Sequence, residues 1–260
     1  MMLILTIVII FILLVSLTVR FQPNYIYAVP LCSIPLLLRA FFDSRLGLFT
    51  YVLTVLILSF FVPNGFEFII INVVAGIVTI LTPPDLYQRA NLFLTVFIIT
   101  LVYILSYFSI AVYENPDFNY IDFSIIIIFL LNGLATLFVH PMIYIFEKVF
   151  DLVSDVSLLE LSNTNSGLLK KLSEKAPGTF YHSLAVSSLA EAVATQISGN
   201  VMLVRVGALY HDIGKINNPN YFIENQTSSY NPHIDLDPND SNEIIFDNSI
   251  KLQNFLAVCV

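Results

Sequence analysis

Apolar residues fill most of the first 150 positions of the chain and then give way to a mixed pattern. Six apolar stretches run over residues 2–19, 25–39, 46–62, 67–83, 91–113 and 121–147. A helix needs about 20 mainly apolar residues to cross a bilayer, and only helices or closed barrels satisfy their backbone there. The stretches lack the alternation of barrel strands, so the pattern predicts six transmembrane helices, the second and third of them short. The first stretch has no basic residue ahead of it and is followed by Arg20 and five more apolar runs. It reads as a retained span rather than a signal peptide.

Past Phe146 the polarity rises. Leu158, Leu161, Leu169 and Leu172 belong to a helical connector expected over Phe150–Lys175, which Pro177 and Gly178 interrupt, with Thr179 placed to cap the next helix. Residues 182–197 set Ala185, Leu189, Val193 and Ile197 at spacings of three to four, predicting an amphipathic helix with His182 at its head and that stripe on its packed side. Asn200 is placed to cap a second helix, in which Val204, Gly207, Ala208 and His211 share a face and which Gly214 ends. The expected fold is all-α: a transmembrane bundle over 1–150, a connector over 151–176 and a second helical domain over 177–260.

Composition supports lipid as a solvent for the first part. The 260 residues are 57% hydrophobic and 12% charged, with a mean hydropathy of +0.82. That is too little polar surface for a water-soluble globule. Basic residues orient the spans, because short cytoplasmic loops are enriched in Lys and Arg. With six alternating spans, Arg39, Arg45, Arg89 and Lys148 all fall on one side, the cytoplasmic one, and only Arg20 breaks the pattern. The opposite loops, 62–67 and 114–122, hold no Lys or Arg. Both ends of the chain are then inside.

Polar groups at membrane depth cost free energy unless they are paired. Asn72 and Asn132 are expected to bond between helices, and His140 with Pro141 to mark a bend near the cytoplasmic end. The spans hold no paired carboxylates or basic residues of the kind proton relays use, which leaves a solute transporter the least supported function.

The formal net charge of −8 argues against a grip on a nucleic acid polymer, which needs clustered Lys and Arg. Two cysteines, Cys32 and Cys259, cannot build a disulfide framework or a zinc knuckle. Any metal site must use imidazole and carboxylate. His182 and His211 each head toward a helix face, and Asp212 follows His211 directly. A carboxylate beside imidazole between apolar helices calls for a compensating cation, and that donor set suits Mn, Fe, Co or Zn. Asp212 has two oxygens and is able to bridge two ions about 3.5–4 Å apart, an arrangement that holds a phosphodiester in line. A purely structural ion pair between Asp212 and Lys215 is the competing reading.

The runs LLELSN, APGTFYHS, LAEA, RVGALYHDIGK and YFIENQ between Leu158 and Gln226 resemble the bacterial seven-transmembrane HD-domain (HDIG) phosphodiesterases that hydrolyse cyclic di-AMP. FQPNYIYAVP at 21–30 and NGLATLFVHP at 132–141 resemble the membrane block of the same family. The resemblance implies a membrane-bound phosphodiesterase of the bacterial cell membrane that opens a cyclic dinucleotide at the cytoplasmic face, with a divalent transition metal present as two ions of Mn or Fe. It implies His182, His211 and Asp212 as metal ligands, with Asp212 and Lys215 as the catalytic pair and Lys215 facing the substrate phosphate. His233 matches a family pattern without a role attached. The next family histidine falls at position 248, which is Asn248, and KLQNFLAVCV after Ile250 no longer matches. The first family helices also have no counterpart. The expectation is therefore a fragment or a degenerate paralogue with an incomplete HD domain and weak or absent activity. A non-catalytic membrane receptor or scaffold is the alternative.

Overall fold

The computed structural model describes residues 1–82, 89–114, 124–197, 199–226 and 230–246, and every regular element among them is helical. The chain divides into two compact units, Met1–Ser154 and Asp155–Val260.

In the first unit, α1 (Met2–Phe21) buries Leu3, Ile7, Phe11 and Val15, a stripe at spacing four, and turns the rest of its apolar surface outward. A helix apolar all round is what lipid solvation requires. The second apolar stretch is not one helix. Pro23–Ala28 forms a 3-10 turn, and α2 (Ser33–Phe41) starts only after it. Asn132 explains how this break survives away from water: its side-chain amide donates to the carbonyls of Tyr27 and Val29 at 2.8 and 3.0 Å. Broken backbone at membrane depth is tolerated when neighbouring helices supply the missing bonds.

Helices α3 (Ser44–Ser59) and α4 (Gly65–Leu81) follow. They cross so closely that a Cβ on Gly76 would lie 1.9 Å from Cε1 of Tyr51. Arg39 donates to the carbonyls of Ile80 and Thr82 at 3.1 and 2.8 Å and so closes the end of α4 with a cation, where the helix dipole favours one. Helix α5 (Arg89–Glu114) precedes α6 (Ser124–Thr136) and α7 (Val139–Phe150). The sixth apolar stretch is therefore also broken, at Leu137–Phe138, beside the expected His140–Pro141 bend. Pro141 sits in the first turn of α7, where its missing N–H leaves no bond unmade.

By length and composition, four segments among the described residues are able to cross a membrane: Met2–Phe21, Pro23–Phe41, Phe93–Tyr113 and Ser124–Phe150. Helices α3 and α4 are shorter apolar helices. The core of this unit holds a polar cluster on Asn72. The Tyr51 hydroxyl donates to its backbone carbonyl at 2.7 Å and the Tyr103 hydroxyl to its Oδ1 at 3.0 Å, while Cys32 Sγ lies 3.2 Å from the Tyr103 oxygen.

The second unit begins with α8 (Asp155–Ser162) and α9 (Gly167–Lys175), so the continuous connector helix expected over Phe150–Lys175 is in fact two helices with a turn between them. Leu158, Leu169 and Leu172 are buried inside the unit. Helix α10 (Pro177–Gln196) opens with Pro177 at its first position. Thr179 is not its cap: it is fully buried within the first turn. Helix α11 (Val201–Tyr210) is capped as expected, with Asn200 accepting from the Leu203 amide at 3.0 Å. It stops at Tyr210, ahead of Gly214, which lies in the 3-10 turn Ile213–Ile216.

The packed side of α10 is not the expected one. Leu189, Val193 and Ile197 are 60–73% exposed, whereas Thr179, Ser183, Ser187 and Ala194 are buried. The residues that α10 buries are small, and Ser187 keeps its hydroxyl satisfied on the Leu184 carbonyl at 2.8 Å. Val204 likewise faces out, while Val206, Leu209 and Tyr210 carry the burial of α11.

Candidate metal centre

The first turns of α10 and the end of α11 bring two imidazoles together. His182 and His211 have ring centroids 5.5 Å apart, and with Asp212 they offer three ligand atoms that all lie within 4.8 Å of one another. His182 is exposed and the other two are half-buried, so the cluster opens to solvent.

His211 shows how the cluster is set for a cation. Its Nδ1 lies 2.8 Å from the carbonyl oxygen of Ala208, an atom that only accepts. Nδ1 therefore donates, and in the neutral ring Nε2 presents a lone pair. That nitrogen faces Asp212 Oδ2 at 3.2 Å. That contact is held by a shared proton or a shared cation, and a carbonyl on the far nitrogen is the arrangement that orients a ligating histidine. The donor set thus fits a divalent transition metal.

A second layer surrounds Lys215, which leaves the 3-10 turn Ile213–Ile216. Its ammonium reaches Asp212 Oδ2 at 2.9 Å and Glu224 Oε1 at 2.6 Å, and lies 4.7 Å from the centre of the Phe222 ring. Burial works against the Lys215 charge, but its bonds to Glu224 and Asp212 outweigh that and hold it above its ordinary value. Glu224 is shifted the opposite way. Burial raises it, yet the bonds from Lys215, its own backbone and Thr179 hold the carboxyl below its ordinary value. Asp212 and Glu224 against one lysine leave an excess negative charge, which attracts a divalent ion. The Asp212–Lys215 ion pair exists, then, but within a larger cluster.

Sequence reasoning missed Glu224, Asn225 and the true place of Thr179. The Thr179 hydroxyl donates to Glu224 Oε1 at 3.0 Å, Asn225 Oδ1 accepts from the Thr179 amide at 3.0 Å, and Asn225 Nδ2 donates to the Thr179 hydroxyl at 2.8 Å. These bonds fasten the 3-10 turn Ile223–Asn225 onto the start of α10. The available signal was Gly178, a glycine in a helix's first turn, where only close approach explains the missing side chain. His233 lies elsewhere: Nε2 donates to the Tyr221 carbonyl at 2.9 Å and Nδ1 lies 2.6 Å from the Ser241 hydroxyl. Both nitrogens are used in fastening residues 230–246, so His233 is no ligand of the His182 cluster. Position 248 lies outside the described residues.

A family model described as "7TM receptor with intracellular HD hydrolase" matches residues 1–154, and one described as "HD domain" matches residues 179–255. The chain is 32% identical over 228 residues to the cyclic-di-AMP phosphodiesterase PgpH of Listeria monocytogenes, across 85% of this chain and 32% of that protein. It is 30% identical over 251 residues to PgpH of Bacillus subtilis, across 93% of this chain and 35% of that one. The chain spans about a third of the length of these relatives. The crystal structure of the L. monocytogenes PgpH HD domain in complex with cyclic-di-AMP is similar at 50% sequence identity, over 35% of this chain and 45% of that one, with a TM-score of 0.32.

Proposed function

This chain belongs to the family of 7TM receptors with an intracellular HD hydrolase, and from that premise we propose that its second unit is a divalent-metal phosphohydrolase that opens cyclic di-AMP at the cytoplasmic face of the bacterial cell membrane. The observation that carries this reading is the cluster of His182, His211 and Asp212, three ligand atoms within 4.8 Å with His211 already turned by Ala208. Those three residues would hold the metal, which this reading takes to be two divalent ions of Mn or Fe. Bound ions supply Lewis acidity toward a phosphoryl oxygen and toward water. Lys215 offers its ammonium to a nonbridging phosphate oxygen, and Glu224 keeps that ammonium charged and aimed. Substrate choice is supported by the names of the PgpH relatives.

The membrane unit is read as six spans, with Arg39, Arg45, Arg89 and Lys148 inside. Arg39 bonded to the Ile80 and Thr82 carbonyls supports this, because it places the end of α2 and the end of α4 on one side. A receptor or scaffold that binds a nucleotide without hydrolysis is a second reading, favoured by Asn248 at the position of a family histidine.

The test uses the purified chain in detergent. Elemental analysis is expected to find divalent metal that Asp212→Asn and His211→Ala remove, and linear di-AMP is expected to form slowly from cyclic di-AMP with Mn. Metal and nucleotide binding with no turnover would establish the receptor reading. No metal retained by the wild-type chain defeats both.

A further inference from the structure

On the membrane unit, the 3-10 turn Pro23–Ala28, the α3–α4 loop and the start of α6 line a half-open cavity of about 790 Å3. That is the size of a small-molecule site. Its chemistry is uneven. Ile125, Ile128 and Leu131 give an apolar wall, Tyr25, Tyr27 and Tyr107 bring phenol rings, and Glu67 is the one charged side chain among the described lining residues. A carboxylate in a cavity of mixed polarity favours positive charge, since the ion pair attracts a cation. A carboxylate has about four acceptor positions, so a partner within the protein leaves capacity for a ligand. An anionic molecule is repelled by Glu67, and a neutral one gains at best a hydrogen bond without the ion pair.

We propose that this cavity binds a small organic ammonium compound, a primary amine on an apolar body, with its ammonium on Glu67 and its body against Ile125, Ile128 and Leu131. The site also touches the core. The Tyr27 ring lies 5.6 Å from Phe129, Phe129 stacks on Tyr103 at 5.5 Å, and Tyr103 bonds to Asn72. An occupant pressing on Tyr27 therefore bears on the buried Asn72 cluster. On the orientation proposed above, Glu67 lies at the outer face, so the amine arrives from outside the cell or from the outer leaflet. None of this depends on the hydrolase reading.

The chain has 13 tyrosines and no tryptophan, so thermal unfolding of the full chain in neutral detergent is followed by tyrosine fluorescence. The probes are hexylammonium, hexanol and hexanoate. Hexylammonium is expected to raise Tm with concentration, as binding to the folded state must, and the other two are not. Glu67→Gln is expected to weaken the hexylammonium effect about tenfold or more, the value of a charge-assisted bond. Leu131→Trp, at a half-exposed position, fills the cavity and is expected to abolish the effect while its own fluorescence reports folding. Nanodiscs then separate the two sources of the amine. A Glu67-dependent shift present in phosphatidylglycerol and absent in phosphatidylethanolamine identifies a lipid headgroup; an equal shift in both identifies a free amine. Equal stabilisation by hexanol, or a shift that survives both substitutions, overturns the proposal.

Discussion

A methyl group on Gly178 would lie 1.8 Å from the carbonyl oxygen of Glu224, so the start of α10 and the turn Ile223–Asn225 meet backbone to backbone. No side chain is able to rotate away from that clash. Gly178→Ala is expected to cost about 1–3 kcal/mol, the range of core overpacking. Thermal unfolding of the full chain in detergent measures it; a variant as stable as wild type would mean the contact is not made.

Metal retention should separate the two imidazoles. His211 has its far nitrogen on the Ala208 carbonyl, whereas His182 is exposed. Replacing either by Ala is expected to cost more than the ~10–100-fold in affinity that loss of an orienting partner costs, with His211→Ala the more severe. Isothermal titration with Mn provides the comparison. Equal affinity in His182→Ala and wild type would remove His182 from the ligand set.

The signs of the Lys215 and Glu224 shifts set a pH window. The Glu224 carboxyl is held below its ordinary value, so its contribution is present above the unfolded value and lost as pH falls through the folded one. The Lys215 ammonium is held above its ordinary value, so its contribution is complete below the unfolded value and lost as pH rises through the folded one. Stability from the pair is therefore flat at neutral pH and declines at both extremes. Glu224→Gln should lower Tm at neutral pH and flatten the acid decline. An acid limb as steep as that of wild type would show that other carboxylates govern it.

In the membrane unit, Asn132→Ala removes two interhelical bonds of roughly 0.6–1.7 kcal/mol each, an expected loss of about 1–3 kcal/mol. It should also raise protease sensitivity near residues 23–30. Unchanged stability would mean the Tyr27 and Val29 carbonyls find other donors.

Much of the second unit was legible in local pattern. The His182 and His211 pairing followed from two successive helices with a histidine near the start of one and at the end of the other, and the Asn200 cap from one residue type before an apolar run. Long-range choices were not. An apolar run reports that a segment avoids water, and says nothing of the amide 105 positions later that lets residues 23–28 leave the helix. Periodicity in α10 found a real stripe at Leu189, Val193 and Ile197, but the fold buries the small residues Thr179, Ser183, Ser187 and Ala194 instead. Glu224 sits in a polar turn with no period, and its tie to Lys215 is tertiary.

The bond from Asn132 to Tyr27 also bears on biogenesis. The acceptor carbonyl leaves the ribosome 105 residues before its donor. At about 5–20 residues per second, that leaves roughly 5–20 s of synthesis with no native partner. The Pro23–Ala28 turn therefore gains the bond that fixes it only after α6 has been made.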